Sequence, residues 1–292
     1  MSACLRSRVR SWIAAAATVI ALTVPAGAAP ALWKVSDANS SIWLFGSIHV
    51  LPPGIAWRTP ALDDLMAKAE TVYFEADIGP LGQLGLVLKG LQMSFTAHRA
   101  WVDRLDSEQR SKLDAAISAL GLAPAQIQGF EPWLAEAVIE DKVLETHGYL
   151  PALGVDPTLQ AELPRERKAY FETAGEQMDL LAKAPLDDQI ARLMAAVDDI
   201  PNMAGDLHDM AVSWSAGRVE ELGVQISDDP TMDENFTRTM VRDRNARWVG
   251  VMEGLLASDR QDLVVVGAGH LAGDGSVIDL LRKAGFTIER IQ

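Results

Sequence analysis

Apolar and polar positions follow a strand-like pattern at both ends of this chain and a helix-like one between them. Residues 32–35 and 41–45 read as two short strands of a β-hairpin, joined by the polar turn Ser36-Asp37-Ala38-Asn39. After the loop Pro52-Pro53-Gly54, Thr59-Pro60 gives a helix N-cap followed by an N1 proline. Asp63 and Asp64 fall in the first turn of a helix expected to reach about residue 69. Residues 71–76 are β-rich and read as a buried strand, so strand, helix and strand predict a βαβ unit with a parallel pair. The far end repeats the pattern. A Val-rich strand over 262–266 is followed by a loop over 267–275 and a helix over 276–284. Gly285 stops that helix, and a last strand covers 286–291.

The stretch from 81 to about 260 is mostly helical in period. Helices are expected over 107–120, stopped by Gly121, and over 132–147, stopped by Gly148. Short apolar runs at 152–155 and 168–171 interrupt them. Helical spacing resumes over 174–183, 186–200 and 203–216, and the longest run is expected over 231–257. The predicted fold class is α/β. A central, mostly parallel sheet is assembled from N- and C-terminal βαβ units, and a helix-rich insertion over about 80–260 forms a cap or second layer.

Composition changes the picture at the amino terminus. Arg6, Arg8 and Arg10 precede an apolar run over 12–24 and the small residues Ala26-Gly27-Ala28-Ala29. This three-part pattern predicts a secretory signal peptide over 1–28 and one domain over 29–292, in the periplasm or outside the cell. The run is short of the ~20 residues that span a bilayer, and an uncleaved anchor is the alternative. Cys4, the only cysteine, precedes the run, so the mature body is expected to hold no thiol, disulfide or Cys ligand. The formal net charge is −14, and loss of the segment removes three arginines and no acid. Such an acidic body argues against nucleic acid as a partner.

The candidate chemistry lies where the predicted strands end. Ile42-Trp43-Leu44-Phe45 runs into Gly46-Ser47-Ile48-His49, and Leu263-Val264-Val265-Val266 runs into Gly267-Ala268-Gly269-His270. Each is an apolar strand leaving through Gly-x-x-His, and α/β sheets bind ligands outside the carboxyl ends of their strands. Glu75, Glu172 and Asp156 follow predicted strands in the same way. A His/His/Glu set suits a divalent metal. The plainer alternatives are hydrogen-bonded surface histidines and carboxylates that cap the next helix, the latter strongest for Asp156 in Asp-Pro-Thr. His147, in the last turn of a helix, reads as structural, and His98 and His208 have no supporting context. Arg244 beside Asn245 reads either as surface charge or as a partner for an anionic group.

Taken together, these motifs resemble the TraB/GumN family. Leu32-Trp33-Lys34-Val35, the loop 46–49 running into Val50-Leu51-Pro52-Pro53-Gly54, Phe74-Glu75, Phe171-Glu172-Thr173 with Gln177, Asp243-Arg244-Asn245 and Val266 through Leu271 carry the resemblance. It covers essentially the whole mature chain. Ser47 stands where the family usually has Thr, and Asp243 where it usually has Glu. The family includes the Tiki proteins, described as metal-dependent proteases, and is similar to erythromycin-esterase-like and ChaN-like proteins. The resemblance therefore implies a metal site at His49, Glu75 and His270, holding Mn, Co or Zn, and an α/β fold with helical additions.

The leading expectation is an envelope metallohydrolase acting on a peptide or small molecule, with Glu172 as general base and Arg244 and Asn245 in the catalytic set. Two alternatives stand beside it. One is a metal-free, esterase-like hydrolase with a histidine base. The other is a non-catalytic protein that binds a metal, a haem or a peptide at the same edge.

Overall fold

The computed structural model describes residues 28–79, 82, 89–90, 99–258 and 260–292. The expected signal segment through residue 27, Cys4 and His98 lie outside them. In chain order come β1 (Leu32–Ser36), β2 (Ser41–Ser47), helix α1 (Pro60–Lys68) and β3 (Val72–Phe74). Then follow α2 (Ser107–Ala119), α3 (Pro132–Thr146), α4 (Val155–Glu162), β4 (Lys168–Tyr170), α5 (Ala174–Ala182), α6 (Leu186–Ser215) and α7 (Val219–Ser227). The chain closes with α8 (Asp243–Leu256), β5 (Leu263–Gly267), α9 (Val277–Lys283) and β6 (Thr287–Arg290).

Local signals place most of these elements. The Asp37 carboxylate accepts the N–H groups of Asn39 and Ser40 and closes the β1–β2 hairpin, in which Leu32 faces Phe45. Thr59 accepts the Leu62 N–H and opens α1, with Pro60 behind it in the first turn. Ser276 caps α9 through the Asp279 N–H, and Gly285, at a φ of 96°, ends it.

The six strands form one mixed sheet in the order β4-β3-β5-β2-β1-β6. Only β1 runs against its neighbours; the β2–β5, β5–β3 and β3–β4 pairs are parallel. The expected assembly from both termini is therefore present, with one change. Neither βαβ unit joins adjacent strands, because β5 inserts between β2 and β3, and β6 pairs with β1 on the far side. Burial explains the insertion. Leu263, Val264, Val265 and Val266 are all fully buried, so β5 needs cover on both faces and a strand on each flank.

Helices cover both faces. Phe45, Phe74 and Val265 pack with α1, α4 and the C-terminal half of α6. Leu44, Val264 and Val266 point the other way and pack with α8 and α9. A third cluster, built on Trp101, Leu113, Ile139 and Leu193, joins α2 and α3 to the N-terminal half of α6 and forms the helical cap.

Three expectations about the middle segment are corrected. The run at 152–155 is not a strand: a 3₁₀ turn over Pro151–Leu153 leads straight into α4, whose first turn holds Pro157 and suits its fixed φ. Residues 186–200 and 203–216 form one 30-residue helix, α6, with Pro201 inside it, and this is the longest helix among those described. The run at 231–257 is broken into Glu234–Phe236, a wide π turn over Thr237–Arg242, and α8. No helix among the described residues is long and apolar enough to cross a membrane.

Candidate functional site

Four parallel strands end side by side, and each delivers one candidate residue within three positions of its last residue. In sheet order these are Glu172 after β4, Glu75 after β3, His270 after β5 and His49 after β2. The strand register makes them neighbours, because Phe74 lies opposite both Tyr170 and Val265, and Ser47 lies opposite Gly267. The ladder continues past the strands, with the Glu172 N–H donating to the Glu75 carbonyl at 2.9 Å.

Gly267 is the point on which three of these groups converge. A Cβ placed there would lie 3.0 Å from Glu75 Oε1 and 3.6 Å from both His49 Nε2 and His270 Cδ2. The Gly267 N–H itself donates to Glu75 Oε1 at 2.6 Å. The two Gly-x-x-His loops, more than two hundred residues apart in the chain, thus meet over one backbone position.

Each imidazole is fixed through its inner nitrogen. Asn245 donates from Nδ2 to the Gly275 carbonyl at 2.9 Å, which turns its Oδ1 toward His270 Nδ1 at 2.7 Å. Nδ1 of His270 therefore carries the proton, and Nε2 presents a lone pair. On the other loop, His49 Nδ1 meets Asp156 Oδ2 at 2.9 Å, and the second oxygen of that carboxylate accepts the Ser47 hydroxyl at 3.0 Å. Asp156 reaches this place from the first turn of α4 and not from a strand end. The Val155 N–H donates to the Ile48 carbonyl at 2.9 Å, docking α4 against the His49 loop.

Arg244 organises the rest. It is 4 % exposed and lies in the first turn of α8. Its Nη2 donates to Glu75 Oε2 at 2.6 Å and its Nε to Glu172 Oε2 at 2.9 Å, while Nη1 serves the Met240 carbonyl at 2.9 Å and faces His270 Nε2 at 3.2 Å. The π turn ahead of α8 presents that carbonyl. Glu172 also accepts Arg247 Nη2 at 3.0 Å and Trp248 Nε1 at 3.1 Å. A carboxylate so occupied anchors a guanidinium and is not poised to remove a proton from water.

Electrostatics set three protonation states. Burial raises the Glu75 carboxyl, but His270, Arg244, His49 and the Gly267 N–H outweigh it and hold the group at about 2. Burial lowers His270 to about 4 against the pull of Glu75, so its ring is neutral near pH 7. The Asp156 carboxylate raises His49 to about 9, with Glu75 adding to the shift and Arg244 opposing it. The outer side of the His49 ring remains open to solvent, at 61 % exposure.

Sequence reasoning located His49, Glu75, His270, Glu172, Arg244 and Asn245, and the structure brings all six together. It placed Asp156 last among the carboxylates, whereas Asp156 is the direct partner of His49. It missed Trp248, whose four-residue spacing from Arg244 was the available signal, and the Gly267 N–H, for which a sequence holds none.

The resemblance implies a metal on His49, Glu75 and His270. Among the described residues, no three His, Asp or Glu side chains stand where they could share one ion. Both Glu75 oxygens are engaged, and the Arg244 guanidinium faces His270 Nε2, where a ligand would need to meet a cation. In this arrangement Glu75 and His270 meet a fixed guanidinium, with His270 Nε2 3.7 Å from Glu75 Oε1.

The fold and edge define an α/β protein with a paired-histidine, acidic site at the carboxyl end of its parallel strands. The chain belongs to the TraB/PrgY/gumN family, whose model matches residues 31–290. It is also similar to an uncharacterized protein of Treponema pallidum (strain Nichols), 20% identical over 264 residues, covering 86% of this chain and 80% of that protein. No solved structure matches.

Proposed function

We propose that this protein is an acyl hydrolase of the cell envelope, acting on an ester or peptide bond with His49 as its proton-transfer group. One observation carries the reading. His49 Nδ1 is held by Asp156 at 2.9 Å, while Nε2, with no hydrogen-bond partner among the described residues, faces the point where the two loops meet, beside Gly267. A histidine oriented by a carboxylate and open at its other nitrogen is the arrangement that general acid–base chemistry requires.

In this reading a water molecule, held beside Nε2, adds to the substrate carbonyl carbon. His49 takes the proton that the water loses, and Asp156 offsets the charge of the imidazolium that results. As the tetrahedral adduct collapses, the same proton passes to the departing oxygen or nitrogen. Arg244, buried and fixed by Glu75 and Glu172, is a pre-set positive charge behind the site that favours the anionic adduct. His270 stays neutral beside Glu75 and Arg244.

The test uses a panel of p-nitrophenyl acyl esters and a fluorogenic peptide library. His49→Ala is expected to lower the rate of every active substrate by about 10²–10⁴-fold, with the far-ultraviolet circular dichroism unchanged. Full activity in that variant overturns the reading. Exhaustive chelation is expected to leave the wild-type rate intact. A rate lost on chelation and restored by Mn, Co or Zn overturns the metal-free form and makes His49, Glu75 and His270 ligands. No turnover of any probe, with a metal, haem or peptide retained, favours the non-catalytic alternative.

A further inference from the structure

The cap and the segment after α7 enclose a cleft of about 500 Å³, of the size that takes one extended side chain or a small ligand. Its walls are apolar, with Leu144, Met203, Leu207, Met210, Met232 and Phe236. The same lining is acidic, with Glu140, Asp199, Asp206, Asp209, Asp228 and Asp229, against Arg192 as its one cation among the described residues. That cation is already spent. Arg192 Nη2 donates to Glu136 at 2.5 Å, and its guanidinium lies 3.4 Å from the centre of the Phe236 ring.

A second observation points to a ligand. Glu136 is 2 % exposed, and its Oε2 meets no hydrogen-bond partner among the described residues. Glu136, Glu140 and Leu144 recur every four residues on α3 and share one helix face. Glu140 and Leu144 line the cleft, and Glu136, one turn before them, meets that lining through Arg192. Gln225 Oε1, also in the lining, is a buried acceptor with no donor among the described residues. Acceptors left without donors in a buried site cost free energy that a bound donor would recover. Burial and the Glu136 carboxylate also push Glu140 up to about 8, which a cation beside it would reverse.

The cleft adjoins the site just described. Ile226, next to Gln225, comes within 3.1 Å of a Cβ placed on Gly269, the residue before His270. Apolar walls suit a methylene stem, and the lining carboxylates beside the spare Gln225 acceptor suit a cationic tip that donates several hydrogen bonds.

We propose that this cleft binds the ammonium- or guanidinium-tipped side chain of a lysine or arginine in a peptide substrate, and so gives the hydrolase a preference for basic peptides. The assignment rests on the hydrolase reading for its role in turnover, but the binding event can be measured without it.

The experiment uses the His49→Ala protein and three fluorescein-labelled hexapeptides that alternate alanine with lysine, with uncharged norleucine or with glutamate. Fluorescence anisotropy is expected to show the lysine peptide binding about tenfold or more tightly than the norleucine peptide, with no binding of the glutamate peptide. Glu140→Gln is expected to remove most of that preference while leaving norleucine binding unchanged. Asp103→Asn/Glu108→Gln, which neutralises two carboxylates on and beside α2 outside the cleft, is expected to keep it. Equal binding of the lysine and norleucine peptides overturns the proposal, as does equal weakening by the two sets of substitutions, which would mean attraction to the net charge alone. Selective binding by a wild-type protein that hydrolyses nothing overturns the hydrolase reading and leaves the cation site standing. Hydrolysis with no preference for lysine does the reverse.

Discussion

A methyl group added at Gly267 has no empty space to enter. It would lie 3.0 Å from Glu75 Oε1, and that oxygen cannot retreat without leaving the Gly267 N–H that holds it at 2.6 Å. The backbone there is ordinary for any residue, at a φ of −49° and a ψ of 134°, so the obstacle is side-chain contact alone. Gly267→Ala is expected to lower turnover by about tenfold or more while costing about 1–3 kcal/mol of stability, checked by kinetics beside urea unfolding. Asp156 offers a test of a different kind. Its charge keeps the proton on His49 up to a pH of about 9, so the base form of the imidazole is scarce below that. Asp156→Asn is expected to move the rising limb of the pH–rate profile downward, toward the ordinary histidine value of about 6.5, and to lower the plateau. A limb that stays in place would show that another group titrates there. The residues of this site were largely legible in the sequence, because a short strand followed by Gly-x-x-His fixes both the residue and its place at the sheet edge. The pairings among them were not. Asp156 belongs to a helix whose docking on Ile48 depends on contacts across more than a hundred residues, and its sequence context spoke only for capping.

Between the site and the cap, α6 is the connecting element. Ile190, Leu193, Met194 and Val197 in its first half pack into the cap cluster, whereas Ala211 and Trp214 near its end pack against the sheet. Pro201 lies between these two regions. A proline inside a helix removes one backbone hydrogen bond and crowds the preceding turn, so it is read from sequence as a break. Here burial at both ends holds the helix continuous across it, which is why the period alone suggested two helices. The C-terminal half also reaches the site. Trp214 Nε1 donates to the Gly46 carbonyl at 2.8 Å, in a fully buried contact at the exit of β2. Trp214→Phe keeps the ring and leaves that carbonyl without its donor, at an expected cost of about 1–3 kcal/mol, read from the urea midpoint. The same change should raise the hydrogen-exchange rate of the His49 loop more than that of α9; uniform exchange would mean that Trp214 acts only as packing. The wide turn over Thr237–Arg242 was beyond reach of the sequence for a related reason. Nothing in Thr-Arg-Thr-Met-Val-Arg distinguishes a π turn from an ordinary helix until the Arg244 guanidinium claims the Met240 carbonyl.

At the scale of the molecule, the defining feature is that residues from both ends are interleaved in one sheet. The α/β class and the joining of the termini followed from two strand–helix–strand patterns, but strand order did not, since a sequence shows which segments are buried and not which one lies between two others. With β5 between β2 and β3, the polypeptide ending at residue 260 holds two strand edges that face each other across an unfilled gap. That fragment is expected to stay aggregation-prone or molten, with no cooperative thermal transition, and to recover a sharp one when a separate 261–292 segment is supplied. A cooperative melt by the fragment alone would contradict this. The insertion also dictates a timetable. On the ribosome, His49, Glu75 and Asp156 all emerge early yet cannot organise a working centre, because the piece that knits them together is made among the last. Nascent chains of this kind carry an incomplete sheet through most of translation, and the strand that closes it is supplied only near the end.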